Sequence, residues 1–257
     1  MEIIAVIGAV GGAGATTVAA HLSVAFASQK RRTLTIDFCS ENILRLHFGM
    51  AFEDGTGFAP NLLAEKEWSQ AAYRSGGGLE FIPFGQLHND QELDSLVEGL
   101  RQNPTWFRTQ LANLQLPPGT LVVCNCPRMP AVLREQVIRA ADMVLMVAAP
   151  EVISFAAVTH IANKADNLAH AHGSPTLVVL NGFDPARQLD RDIAVLLRTE
   201  HRQIFSPVVV HRDESVREAL ACKQTVFDFA PSSQAAYDFL ALSTWLLARL
   251  GQAAKAA

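Results

Sequence analysis

The sequence predicts an α/β fold with one doubly wound, mainly parallel sheet of about seven or eight strands and helices on both faces. Short apolar runs alternate with helix-length amphipathic segments along the 257 residues, an order typical of strands joined by right-handed crossover helices. Most of these runs are apolar throughout, as in strands that are covered on both faces. We expect residues 1–257 to form one domain, with an irregular excursion at about 50–78, where glycines interrupt the pattern.

The predicted strands share short runs of β-branched or other apolar residues. They cover residues 2–8, 32–38, 79–85, 120–126, 142–149, 176–183 and 205–211. The predicted helices have the length and amphipathic spacing of helices that cover a sheet. They cover residues 16–30, 131–140, 153–168, 187–200, 213–222 and 233–250. Strands and helices are thus expected to alternate to the end of the chain.

The net charge and the hydropathy of the chain argue against two classes of function, nucleic-acid binding and insertion into a membrane. A net charge of −4 gives no basic surface for non-specific DNA or RNA binding, so no nucleic-acid partner is expected. No apolar run reaches the roughly 18 to 20 residues that span a bilayer, so direct membrane insertion is not expected and a cytoplasmic location is. The four cysteines lack the spacing of a secreted disulfide framework.

A glycine-rich stretch, GAVGGAGATTVAAH at residues 8–21, follows the first predicted strand. Glycines let backbone N–H groups turn toward phosphate oxygens, and the helix that starts behind them favours an anion at its N-terminus. Thr16 and Thr17 open that helix. A phosphate-binding loop normally also carries a lysine, and this stretch has none. By itself the motif is compatible with a nucleotide site and with a purely structural turn.

Two polar residues stand at the ends of other predicted strands. Asp37 lies at the carboxyl end of the second one, at the edge where open α/β sheets bind ligands, and it indicates Mg²⁺ or its hydration shell. A helix-capping or turn aspartate is the alternative. Asn125 lies near the end of the fourth predicted strand, where phosphate-loop proteins usually carry a second aspartate beside the metal. An asparagine accepts hydrogen bonds but does not neutralise a cation.

With these segments in register, the chain resembles the MinD/ParA family of deviant phosphate-loop ATPases. The loop of that family reads Lys-Gly-Gly-x-Gly-Lys-Thr-Thr, and VGGAGATT matches five of the seven specified positions, with Val10 and Ala15 in place of the two lysines. Three further stretches, DFCSENILRLHF, FIPFGQL and HRDESVREALACKQTV, are similar to the BcsQ branch of this family, whose members are accessory proteins of cellulose biosynthesis.

The resemblance implies a set of site residues. The phosphate site would consist of Gly11, Gly12, Ala13, Gly14, Ala15, Thr16 and Thr17. Thr16 would be a Mg²⁺ ligand, with Asp37 near the metal. The adenine base would be contacted by Asn181 and lined by His211, Arg212 and Asp213. The implied cofactor is ATP or ADP with Mg²⁺, bound weakly or not at all.

The resemblance also indicates that hydrolysis is lost. Where the family usually has a second aspartate that positions the attacking water, this chain has Cys39. A lysine at about 4 Å from a phosphate charge contributes about 4 kcal/mol at an effective dielectric constant near 20, and both loop lysines are missing. Phosphoryl transfer depends almost entirely on positioning and charge stabilisation. We therefore assign no catalytic residue and expect little or no ATP turnover.

Three functions remain open at this stage. The one favoured is an accessory protein that works with the cellulose synthase complex and small cytosolic cellulose-synthesis proteins, which would recruit it to the inner membrane. The others are an active ATPase that positions DNA or a cell-division site, and a structural interaction protein with an empty loop. A homodimer is also compatible with the resemblance. The family's first loop lysine crosses to the other subunit, so with Val10 at that position nucleotide should affect dimerisation only weakly.

Overall fold

The computed structural model describes residues 1–163 and 173–256, and an eight-stranded sheet forms its centre. The strands are β1 (Glu2–Gly8), β2 (Thr33–Asp37), β3 (Tyr73–Arg74), β4 (Glu80–Ile82), β5 (Leu121–Cys126), β6 (Met143–Ala148), β7 (Thr176–Phe183) and β8 (Val210–His211). They lie in the order β3-β4-β2-β5-β1-β6-β7-β8. Neighbouring strands are parallel except for β3 and β4. The predicted fold class is confirmed.

The helices in the described part of the chain connect these strands and extend beyond the last of them. They are α1 (Ala15–Ser28), α2 (Phe58–Leu63), α3 (Asp90–Gln102), α4 (Trp106–Asn113), α5 (Ala131–Ile138), α6 (Val152–Asn163), α7 (Gln188–Glu200), α8 (Ser215–Ala221), α9 (Val226–Phe229) and α10 (Gln234–Ala256). The predicted helix 153–168 corresponds to α6, and its residues 164–168 lie outside the described residues. No helix within the described ranges is long and apolar enough to cross a bilayer.

Helices bury both faces of the sheet. Alternate residues of β1 belong to two apolar clusters, with Ile3 and Ile7 in one and Ile4 and Val6 in the other. The first cluster includes side chains of α3 to α7, and the second includes those of α1 and α10. Because both faces are covered, the central strands are apolar throughout rather than alternating.

Two predicted strands are shorter than expected, and proline accounts for both differences. Within the predicted strand 205–211, only Val210–His211 pairs as a strand, and Phe205 forms an isolated bridge with Val178. Pro207 lies between them and has no N–H to donate to the sheet. The predicted strand 79–85 ends at Ile82, directly before Pro83.

The segment between β4 and β5 differs most from the prediction. Its helices α3 and α4 were not predicted, so the expectation of strict alternation is wrong here. Helix α3 is rich in charged residues and buries only Leu96, Val97 and Leu100. Its start is stabilised by Asn89, whose side chain accepts a hydrogen bond from the Glu92 N–H at 3.0 Å. Hydrophobic periodicity is weak in such a sequence, whereas the capping residues were a usable signal.

The irregular segment at 50–78 contains α2, a 3₁₀ turn and the short antiparallel strand β3. It is attached to the end of β4 through backbone hydrogen bonds from Phe58 to Pro83 and from Ala59 to Phe84, at 3.0 and 2.9 Å. A Cβ atom on Gly57 would lie 2.1 Å from the Gly85 backbone. Only glycine therefore permits this approach, which closes the segment against the carboxyl end of the sheet.

Candidate nucleotide site

The glycine loop joins β1 to α1 at the carboxyl edge of the sheet. Gly12 and Gly14 adopt left-handed backbone angles, with φ of 78° and 88°, and Gly11 and Gly12 are exposed. Helix α1 starts with no side-chain cap, and its first helical bond runs from Val18 N–H to Gly14 O at 2.9 Å. The N–H groups of the first turn therefore have no partner within the helix and are available to an anion.

The two residues that replace the family lysines in the loop are apolar and pack into the protein. Val10, at the position of the first family lysine, is only 9% exposed and belongs to the apolar cluster that includes α1. Ala13 is buried in the same cluster, and Ala15 is half-buried beside it. Almost all of the Val10 side chain is therefore covered within its own chain, which leaves little apolar surface at this position for a second subunit.

Asn125 connects the two residues predicted to surround a metal. Its Nδ2 group donates to Asp37 Oδ1 at 2.8 Å and to Thr16 Oγ1 at 3.2 Å. The register of the parallel strands brings this about, because Asp37 at the end of β2 lies directly beside Asn125 on β5. The structure therefore joins β2, β5 and the start of α1 through one amide group.

Asp37 is completely buried, and this desolvation raises the pKa of its carboxyl group to about 7, against the lowering effect of hydrogen bonds from Cys39 N–H and Asn125. The Cys39 N–H donates to Asp37 Oδ1 at 3.0 Å. Burial also raises the pKa of the Cys39 thiol, so this side chain is uncharged at neutral pH. At neutral pH the negative charge near Thr16 is therefore the partial charge of Asp37 alone.

These residues do not fit a Mg²⁺ ion as they stand. An amide donor, rather than a second carboxylate, lies between Thr16 and Asp37. The unpartnered oxygens, Asp37 Oδ2 and Asn125 Oδ1, are sealed from solvent, whereas Mg²⁺ usually keeps several water ligands. The described residues contain no cluster of three or more histidine, cysteine or acidic side chains suited to a metal.

Asn181 lies against the loop at the end of β7. Its Nδ2 group donates to Ala13 O at 2.9 Å, and the same nitrogen would be only 2.3 Å from a Cβ atom on Gly14. The structure thus places Asn181 beside the predicted phosphate site. One amide proton is used to hold the loop, and the rest of the side chain is half-buried.

The residues predicted to line the base, His211 to Asp213, lie one strand farther along the sheet. His211 pairs through Nδ1 with Asp238 Oδ2 at 2.9 Å, and the Asp213 carboxylate accepts hydrogen bonds from Ser215 and from Ala235 N–H. Both side chains therefore hold the start of α8 and α10. Arg212 is exposed and leaves its guanidinium available.

A family comparison decides the identity of the chain. The protein-family model described as "Cellulose biosynthesis protein BcsQ" matches residues 1–247. The chain belongs to the BcsQ family. The resemblance drawn from the loop and the three family-like stretches is thereby confirmed.

Individual relatives agree with this assignment. The BcsQ protein of Escherichia coli K12 is 28% identical over 256 residues, which cover 96% of this chain and 94% of that protein. Among solved structures, the septum site-determining protein MinD from Pyrococcus horikoshii, complexed with Mg-ADP, has a TM-score of 0.75 at 18% identity and covers 95% of each chain. Cobyrinic acid a,c-diamide synthase from Mycobacterium smegmatis, with an ATP analogue and magnesium, has a TM-score of 0.73 at 19% identity, covering 96% of this chain and 94% of that one.

Sequence reasoning missed one residue that supports the site of this BcsQ family member. His21 on α1 is fully buried, and its Nδ1 lies 2.8 Å from Thr17 O. Its Nε2 accepts a hydrogen bond from Val226 N–H at 3.1 Å, which requires the proton on Nδ1. His21 therefore fixes the first turn of α1 to the C-terminal segment. Its four-residue spacing from Thr17 was the available signal.

Proposed function

We propose that the chain is an accessory protein of bacterial cellulose synthesis that holds a nucleotide as a structural ligand, with little or no hydrolysis. It acts by assembling with components of the cellulose synthase complex, which bring it to the inner membrane. Membership of the BcsQ family supports the cellulose assignment. The observation that carries the rest is a site that keeps the backbone groups of a phosphate loop and has lost the charged side chains.

Binding is supported by the loop itself. Gly11 and Gly12 are exposed, and the first-turn N–H groups of α1 lie directly behind them, so backbone dipoles can hold phosphate oxygens without lysine. Asn181 stabilises the loop from the side through Ala13 O. The unfilled loop of a purely structural protein is the second candidate, because Asn181 packs tightly against Gly14.

Loss of hydrolysis is supported by four positions. Neutral side chains stand at Val10, Ala15, Cys39 and Asn125, where the family pattern has charge. The buried Asp37 carboxyl, whose pKa burial raises to about 7, carries only part of its negative charge at neutral pH. Without charge stabilisation the transferred phosphoryl group is not activated. The overall charge of −4 also disfavours the alternative of an ATPase that positions DNA.

Assembly is supported by exposed apolar side chains at the carboxyl edge of the sheet. Met129 follows β5 and is 72% exposed, and Val152 and Ile153 follow β6 at 62% and 63%. Exposed apolar residues at one edge of a sheet are typical of contact surfaces. We place the contact with the synthase components on this edge.

We expect deletion of the gene from a cellulose-producing native host to lower cellulose output, and the wild-type gene to restore it. An Ile153→Asp variant should fail to restore output, because it places a charge in the proposed contact surface. Val195→Asp is the matched control, since Val195 is 61% exposed on α7, and it should restore output. Unchanged cellulose output in the deletion strain, measured by dye binding and enzymatic hydrolysis, would contradict the assignment.

A further inference from the structure

The hydrogen bonds of Asn125 indicate whether nucleotide binds with or without a divalent cation. A single amide group donates both to Thr16 Oγ1 and to Asp37 Oδ1, at 3.2 and 2.8 Å. In a cation-dependent site, a positive ion would lie between a hydroxyl and a carboxylate of this kind. Here the partial positive charge of the amide nitrogen lies between them.

The orientation of the amide follows from its neighbours. Asp37 Oδ1 already accepts a hydrogen bond from the Cys39 N–H, so it faces Asn125 as an acceptor, and exchanging Oδ1 and Nδ2 of Asn125 would place two acceptor oxygens at 2.8 Å. The carboxylate therefore selects the nitrogen as its neighbour. The remaining Asn125 Oδ1 is buried without a hydrogen-bond partner, so it offers no accessible ligand to a hydrated ion.

The groups around Asp37 also leave no open position for a cation. Asp37 Oδ2 is also sealed from solvent, and Cys39 contributes its backbone N–H to Asp37 Oδ1 at 3.0 Å. Both partners of Asp37 Oδ1 are thus hydrogen-bond donors. A divalent cation would have to displace them, and it would gain only one carboxylate in return.

We propose that the site binds a nucleoside di- or triphosphate as the free anion, with the Asn125 amide in the place of the divalent cation. This inference rests on the proposed nucleotide binding and specifies its ligand. The loop and first-turn N–H groups of α1 face the phosphates. Arg134 on α5 supplies a positive charge just beyond the end of β5, where its guanidinium donates to Arg128 O at 2.7 Å.

The test uses the full chain and two probes. Equilibrium dialysis measures ADP binding in excess Mg²⁺ and in excess EDTA, and water proton relaxation measures binding of Mn²⁺ alone and with ADP, since Mn²⁺ takes the same oxygen ligands. For the wild type we expect ADP affinities that agree within about twofold between the two buffers, and no Mn²⁺ site. Asn125→Asp should gain a Mn²⁺ site, and its ADP affinity should rise about tenfold or more with Mg²⁺.

Asn113→Asp is the matched control, because Asn113 is exposed at the end of α4 and the same substitution there should not create a Mn²⁺ site. Stoichiometric Mn²⁺ binding by the wild type, ADP binding that EDTA abolishes, or a folded Asn125→Asp variant without a Mn²⁺ site would each overturn the inference. If the variant does not fold, the wild-type measurements decide. Failure of the wild type to bind ADP in either buffer would instead refute the proposed nucleotide binding, while the Mn²⁺ measurements still decide whether the amide excludes the cation.

Discussion

Gly14→Ala is expected to lower the free energy of unfolding by about 2 to 3 kcal/mol. Gly14 has φ of 88°, a conformation that costs a residue with a side chain about 1 to 2 kcal/mol. The new Cβ would also lie 2.3 Å from Asn181 Nδ2, so Asn181 must move and lose its hydrogen bond to Ala13 O. Urea unfolding of the purified variant measures this change.

Gly11→Ala is the matched control in the same loop. A Cβ atom on Gly11 meets nothing within 4 Å, and its backbone is not left-handed, so its effect should stay below about 1 kcal/mol. Adding Asn181→Ala to Gly14→Ala should recover part of the loss, because it removes the clash and leaves the backbone strain. Equal effects of the Gly11 and Gly14 substitutions would show that the loop is not held as described.

Acid should destabilise the fold before the acidic residues of the surface titrate. His21 and His47 are buried, and desolvation lowers their pKa values from 6.5 to about 4 and about 3. Below about pH 6.5 both histidines are protonated in the unfolded chain but stay neutral in the folded chain. Each histidine therefore lowers the free energy of unfolding by about 1.4 kcal/mol per pH unit. That loss continues until the pH reaches the folded-state pKa of each ring.

Asp37 acts in the opposite direction. Its pKa is raised from 3.8 to about 7, so the folded chain holds a proton that the unfolded chain has released, and stability rises as the pH falls from about 7 to about 3.8. Between about pH 6.5 and pH 4, acid therefore lowers the free energy of unfolding through two histidines and raises it through one aspartate. The expected net loss is about 1.4 kcal/mol per pH unit, or about 2 kcal/mol between pH 6.5 and pH 5.

His47→Leu tests this balance. Both ring nitrogens of His47 are buried without a hydrogen-bond partner, so leucine removes a titrating group and breaks no polar contact. The pH dependence of urea unfolding should become nearly flat between about pH 6.5 and pH 4, because His21 and Asp37 then cancel. His88→Leu removes an exposed histidine and should leave the slope unchanged. A slope that His47→Leu does not alter would contradict the burial of a neutral ring.

The sequence was sufficient for the central features of the fold. The apolar runs of β1, β5, β6 and β7 were recognisable because both faces of the sheet are covered. The glycine loop was recognisable because Gly12 and Gly14 need left-handed angles that other residues avoid. Asp37 was placed correctly at the carboxyl edge, since it ends an apolar run.

The remaining features depend on contacts between distant parts of the chain. That Asn125 donates to both Thr16 and Asp37 follows from the register of β2 beside β5, which local patterns do not specify. The pairing of His21 with Val226 joins residues 205 positions apart. The roles of His211 and Asp213 also depend on α10, whose residues Asp238 and Ala235 they contact. These polar contacts satisfy half-buried side chains, and the contacts of His211 and Asp213 with a base stay a prediction.

One measurement tests most directly whether the chain binds nucleotide without hydrolysing it. The purified chain is incubated with ATP and Mg²⁺, and both the released phosphate and the nucleotide that stays bound are measured. We expect bound nucleotide to be recovered as intact ATP, and phosphate release no faster than that of Thr16→Ala, a variant that removes the hydroxyl contacted by Asn125. ATP-dependent phosphate release by the wild type that Thr16→Ala abolishes would contradict the proposal, because it would show that the site performs phosphoryl transfer without the charges that chemistry requires.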